Sequence, residues 1–125
     1  MPKPKRNTDD WRNLPYEYWN VRTLHAYFAD RNRELYGVDP YLPMRNWRFE
    51  QGVLKRALTE YGAETLHRAF DVIFREYRPS RDYPYLTAGF AVAYRLNAVL
   101  PRILAEKERK NDAGETDYNE LKGWL

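Results

Sequence analysis

Arg68 and Arg75 stand seven positions apart, two turns along one face if the segment is helical, and Arg78 and Arg81 follow just beyond it. Tyr83 and Tyr85 belong to the same stretch, Arg78-Pro-Ser-Arg-Asp-Tyr-Pro-Tyr85. Guanidinium groups fork onto phosphate oxygens while neighbouring rings stack on bases. Arg68, Arg75, Arg78, Arg81, Tyr83 and Tyr85 are therefore the candidate nucleic-acid contacts. A purely structural explanation pairs Arg68 and Arg75 with Glu64, Asp71 or Glu76 at helical spacing, which makes a solvated face of small energetic weight. An acidic protein surface is a third taker for the same cations.

Other chemistries lack their residues. There is no cysteine, so disulfides, thiolate nucleophiles and cysteine-held zinc are excluded. Ser80, the single serine, lies between Pro79 and Arg81 with no nucleophile-elbow pattern. Glu64-Thr-Leu-His67 is one Glu-x-x-His pair, whereas a carboxylate di-metal bundle needs two such pairs and further inward glutamates. His25 has Arg22, not a carboxylate, three residues before it. The six glycines form no G-x-x-x-x-G-K loop. The expectation is a protein without catalysis, metal or cofactor, poorly suited to a small-molecule ligand, whose work is contact.

The composition agrees with that reading. At 125 residues the chain is one domain, 43% hydrophobic and 31% charged. No apolar run approaches the roughly 20 residues of a membrane helix, and the basic start runs into Asn7-Thr-Asp-Asp-Trp11 rather than a signal-peptide core. Residues 1–110 hold 20 Lys/Arg against 14 Asp/Glu, while residues 111–125 hold only Lys122 against Asp112, Glu115, Asp117 and Glu120. Fifteen of the 21 basic residues are arginine, and 11 tyrosines accompany them. A basic body rich in arginine and tyrosine suits a polyanionic partner. The acidic tail either solubilises, docks another protein through Tyr118, Leu121 and Trp124, or folds back to compete for the basic face.

Helices must position these residues. Residues 1–15, with Pro2, Pro4 and Pro15, read as an extended, flexible arm pinned by Trp11 and Leu14. Val21, Leu24, Phe28 and Leu35, widened by Tyr27, give a first helix over 21–36, with Asn20 as N-cap and Gly37 as left-handed C-cap. A second helix is expected over Phe49–Tyr61 and a third over Ala63–Tyr77, so close together that they form an αα-hairpin about Gly62. The hairpin is not a strict helix-turn-helix, because Arg68 and Asp71 fall where that motif needs core residues. Thr87 caps a fourth helix whose Phe90-Ala-Val-Ala-Tyr94 is apolar nearly all round, the mark of a buried central helix. Pro101 should kink or break it and open a new segment, and Asn111–Gly114 should make a turn. Nothing alternates with period two, so the fold is all-α. It should be a compact bundle of four to five helices over 16–110, between the arm and the acidic tail at 111–125.

Two resemblances add to this. Val53-Leu-Lys-Arg-Ala-Leu-Thr-Glu-Tyr-Gly-Ala-Glu-Thr-Leu-His-Arg-Ala-Phe-Asp71, followed by Tyr85-Leu86, resembles the C-terminal helical segment of DnaD-type primosome-organising proteins. That family's closing tryptophan is absent, with Arg102-Ile-Leu-Ala105 in its place. Trp19, Tyr27-Phe28 and Leu35-Tyr-Gly37 are similar to small helical proteins of bacteriophages. The resemblances imply a phage-type accessory protein that binds nucleic acid, most simply DNA, in the host cytoplasm and acts in replication or its control. The alternative is an inhibitor or adaptor that captures a host polymerase, helicase or defence nuclease through Tyr41, Trp47 and the tail residues Tyr118, Leu121 and Trp124.

Overall fold

The computed structural model describes residues 7–123, with side chains through Arg109. A 3-10 turn at Tyr16–Tyr18 leads into α1 (Val21–Tyr36), α2 (Trp47–Tyr61), α3 (Ala63–Glu76) and α4 (Ala88–Phe90). A π-helical segment (Ala91–Arg95) then joins α4 to α5 (Leu96–Gly123). Backbone angles stay helical at both junctions, at Ala91 and Leu96, so α4, the π segment and α5 form one composite fourth helix. No strand occurs among the described residues, and none of their helices is long and apolar enough to cross a membrane.

Local chemistry sets the ends. Asn20 and Thr23 make a reciprocal capping box: Asn20 Oδ1 accepts from the Thr23 amide at 3.0 Å, and Thr23 Oγ1 accepts from the Asn20 amide at 3.1 Å. Gly37, at φ 69°, closes α1 in the left-handed region. α2 starts at Trp47, two residues before the expected Phe49, because Asn46 accepts from the Phe49 amide at 2.8 Å and so caps the earlier turn. Gly62, at φ 82°, is the one residue between α2 and α3, so α3 follows α2 almost at once.

The core places α3 at the centre. Ala63, Thr65, Leu66, Ala69, Phe70, Ile73 and Phe74 are buried, half of its 14 residues. They meet Leu24, Tyr27 and Phe28 of α1, Leu54 and Ala57 of α2, and Leu96, Val99, Leu100 and Ile103 of α5. Phe28 packs edge-on against Phe70 with centroids 4.9 Å apart. Leu35, expected on the inner stripe of α1, is exposed.

Three further expectations are corrected. The composite helix is not buried all round: Ala88, Gly89 and Ala91 face the core, while Tyr94 is 67% exposed. Pro101 neither breaks nor ends it. Pro101 and Asn97, the residue whose carbonyl loses its partner, are both exposed, so water can satisfy that oxygen. The irregularity lies earlier, in the π segment, and helix continues through Asn111–Gly114, where a turn was expected. Residues 7–15 are also not extended. They fold back in turns, and Trp11 is buried against Tyr27 (4.9 Å) with its Nε1 donating to Asp30 at 2.8 Å. Residues 1–6 lie outside the described residues, as do Trp124 and the side chains of Tyr118 and Leu121.

Candidate nucleic-acid interface

The segment from Arg78 to Tyr85 is fixed from beneath by side chains that reach its backbone. Tyr77, buried at the end of α3, donates its hydroxyl to the carbonyls of Tyr83 (2.6 Å) and Tyr85 (3.2 Å). Ser80 Oγ accepts from the Tyr83 amide at 3.1 Å, and the Ser80 amide donates to the Tyr83 carbonyl at 3.1 Å. The single serine is thus spent on a turn. Asn32, fully buried in α1, brackets Leu86: its Nδ2 donates to the Leu86 carbonyl (2.8 Å) and its Oδ1 accepts from the Leu86 amide (2.9 Å). Held this way, the loop has little choice but to turn Arg78 and Arg81 outward, where both are exposed.

The four candidate arginines differ. Arg68 donates to Glu64 at 3.0 Å across one turn, an exposed pair of small weight. Arg75, Arg78 and Arg81 are exposed and make no ion pair among the described residues. Glu76, next to Arg75 in the sequence, is taken by Arg102 at 2.9 Å, while Asp82 remains in the loop as an exposed acid. Arg75 also borders a concavity of about 510 Å³ with Arg31, Tyr36, Tyr77 and the carboxylate of Asp71. The Nε of Arg31 is a buried donor with no hydrogen-bond partner among the described residues.

The two tyrosines part company. Tyr83 is 64% exposed and lies near-parallel to Phe90, with centroids 6.3 Å apart and planes at 28°. Phe90 is in turn 5.1 Å from Tyr94, and the Arg95 guanidinium lies 5.8 Å from the Phe90 ring centre. Tyr85 is half-buried and braced, donating to the Leu42 carbonyl at 3.2 Å, so it is a support rather than an open ring. Sequence reasoning missed Phe90, Tyr94 and Arg95, because an apolar run of that length reads as core. The spacing of Phe90 and Tyr94 (i, i+4) beside Arg95 was the available signal.

The start of the composite helix is fixed by a residue that spacing could not reveal. Glu50 has no exposure to water. Its Oε1 accepts from His25 Nε2 (3.0 Å) and the Tyr41 hydroxyl, and its Oε2 accepts from the amides of Met44 (2.8 Å) and Gly89 (3.0 Å). The Ala88 amide donates to the Tyr41 oxygen at 2.9 Å, and Thr87 Oγ1 accepts from the Phe90 amide at 3.1 Å. The first amides of the helix are thus satisfied by side chains, with a carboxylate at the positive end of the helix dipole. Burial pushes the Glu50 carboxyl up, but the bonds from His25, Tyr41 and the two amides outweigh it and hold it below the usual carboxylate range.

Tyr41 is therefore buried, not part of an open docking patch, whereas Trp47 is 47% exposed. His67 makes no metal pair with Glu64. Its Nδ1 bonds the Tyr16 hydroxyl at 2.8 Å, and its Nε2 lies 3.5 Å from Asp71, which also accepts from Tyr27. Among the described residues no group of three or more His, Asp or Glu could hold a metal ion. Comparison with protein-family models, curated proteins and solved structures gives no significant match, so the functional reading rests on this geometry.

Proposed function

We propose that the protein binds single-stranded nucleic acid without catalysis, through Arg75, Arg78 and Arg81 and the rings of Tyr83, Phe90 and Tyr94. The observation that carries this is the conjunction of three guanidinium groups that make no ion pair among the described residues with two rings exposed at 64% and 67% on a fixed loop and helix. Cations follow a phosphate backbone, and rings offer stacking surfaces that every base can use. A role as a phage-type accessory factor in DNA replication or its control fits the DnaD-like segment between Val53 and Asp71. Capture of a host enzyme through Tyr41 is less well supported, because that ring is covered.

Three neutralised phosphates on a single strand give a slope of log affinity against log salt of about −2. Fluorescence anisotropy with an oligothymidylate should show that slope. Arg75→Glu with Arg78→Glu should remove most of the binding, and Tyr94→Ala should weaken it by about tenfold, given the usual worth of one stacked base. Unchanged affinity at low salt in the arginine variant, with the helical circular dichroism intact, would reject the interface.

A further inference from the structure

The start of α1 and the first half of α2 border a second, open concavity of about 710 Å³. On α2, Arg48, Gly52 and Lys55 fall at i, i+4 and i+7, one stripe facing Arg22 and His25 of α1. No carboxylate lines this groove. Arg22 already shares its charge with Asp9 through bonds of 2.8 and 3.1 Å. Arg48 and Lys55 are exposed and make no ion pair among the described residues. The groove therefore carries an unbalanced positive field toward which an anion is drawn.

Two further features say what kind of anion. Trp47 presents a half-exposed ring at the groove, set edge-to-face against His25 at 5.0 Å and 82°. His25 is held by its bond to Glu50, so that side of the tryptophan is fixed. Gly52 lies inside α2, where glycine costs about 0.5–1 kcal/mol relative to alanine. A Cβ built there meets nothing within 4 Å, so no internal packing requires the glycine. What its missing side chain does provide is an open floor beside Arg48 and Lys55, one turn after the first and just under one turn before the second, while Gln51 lies on the side of Trp47.

We propose that this groove is a nucleotide site, with phosphate held by Arg48 and Lys55 over the clear floor at Gly52 and the base laid against Trp47. The nucleotide comes either free in solution, as a nucleoside diphosphate, or as the 5′-phosphorylated end of a strand. The site shares no residue with the arginine–tyrosine patch and does not depend on it.

Tryptophan fluorescence of the full chain tests this, with ADP, adenosine, and oligothymidylates carrying a 5′-phosphate or a 5′-hydroxyl as probes. Saturable quenching by ADP is expected, and it should disappear in Trp47→Phe. Arg48→Glu with Lys55→Glu should weaken it by about tenfold or more. Gly52→Leu should block it without touching either cation, which keeps the test decisive if the charge reversal disturbs folding. Arg75→Glu with Arg78→Glu should leave it unchanged, so this site and the strand-binding patch fail separately. Quenching by the 5′-phosphorylated strand alone identifies a strand end as the source. The proposal is overturned if adenosine quenches as well as ADP, if neither phosphate probe quenches, or if quenching survives Gly52→Leu.

Discussion

A carboxylate shut away from water stays ionised only when donors replace its hydration, and Glu50 has four of them within the protein. Glu50→Gln keeps the shape but turns one acceptor into a donor facing donors. We expect a loss of about 2–3 kcal/mol of stability, read from urea unfolding. The same geometry sets the pH response in two windows. Burial holds the His67 pKa below its usual value, with Asp71 opposing, so the unfolded chain takes up the proton first. Stability should therefore begin to fall as pH drops through about 6.5. Glu50 has a depressed folded pKa, so its contribution is complete above the unfolded value of about 4.3 and disappears as pH falls through the lower folded value. A urea midpoint that stayed flat from neutral pH down to pH about 4 would contradict the first window. None of this was legible in the sequence, because the partners of Glu50 lie at 25, 41, 44 and 89 and only the tertiary fold brings them together.

Helices were the most readable level. Asn20, Gly37 and Gly62 punctuate α1 and the junction of α2 with α3 as their chemistry demands, and the inner residues of α3 follow the 3.6-residue period. The composite helix was misread for a physical reason: small alanines satisfy both a buried and an exposed face, so Phe90-Ala-Val-Ala-Tyr94 carries no polar signal of which side meets water. Pro101 reads as a breaker in the sequence, which does not show that its side of the helix is solvated. Gly89 belongs to this level too, since it lets the helix start press against the 37–46 loop. A Cβ there would lie 3.0 Å from both Cβ and Sδ of Met44 and 3.4 Å from Glu50 Oε2. Gly89→Ala should thus destabilise by about 1 kcal/mol or more despite its better helix propensity, as a lowered thermal midpoint would show. A raised midpoint would mean that Met44 moves aside freely.

Across the whole molecule, charge and order are distributed differently. Acids on the N-terminal side are engaged in tying residues 7–15 to α1: Asp9 holds Arg22, and Glu34 holds Arg12 at 2.7 Å. Arginines that make no ion pair among the described residues include Arg75 at the end of α3, Arg78 and Arg81 in the loop beyond it, and Arg48 on α2. Spacing along a helix reveals local pairs such as Glu64 with Arg68, but not the acids that neutralise Arg12, Arg22 and Arg102, because those pairs join positions 13 to 26 residues apart.

Helix ends normally fray, and their amides trade hydrogen for deuterium within the first moments of exposure to heavy water. The fourth helix should do the opposite at its beginning. Because a buried acid and a buried phenol grip the amides of Ala88 and Gly89, both should exchange as slowly as those of α3, and protection should decline toward the far end of the rod. A strand stacked on Tyr94 would then be pulling on the anchored end of the longest element, which gives the protein a rigid handle rather than a yielding one.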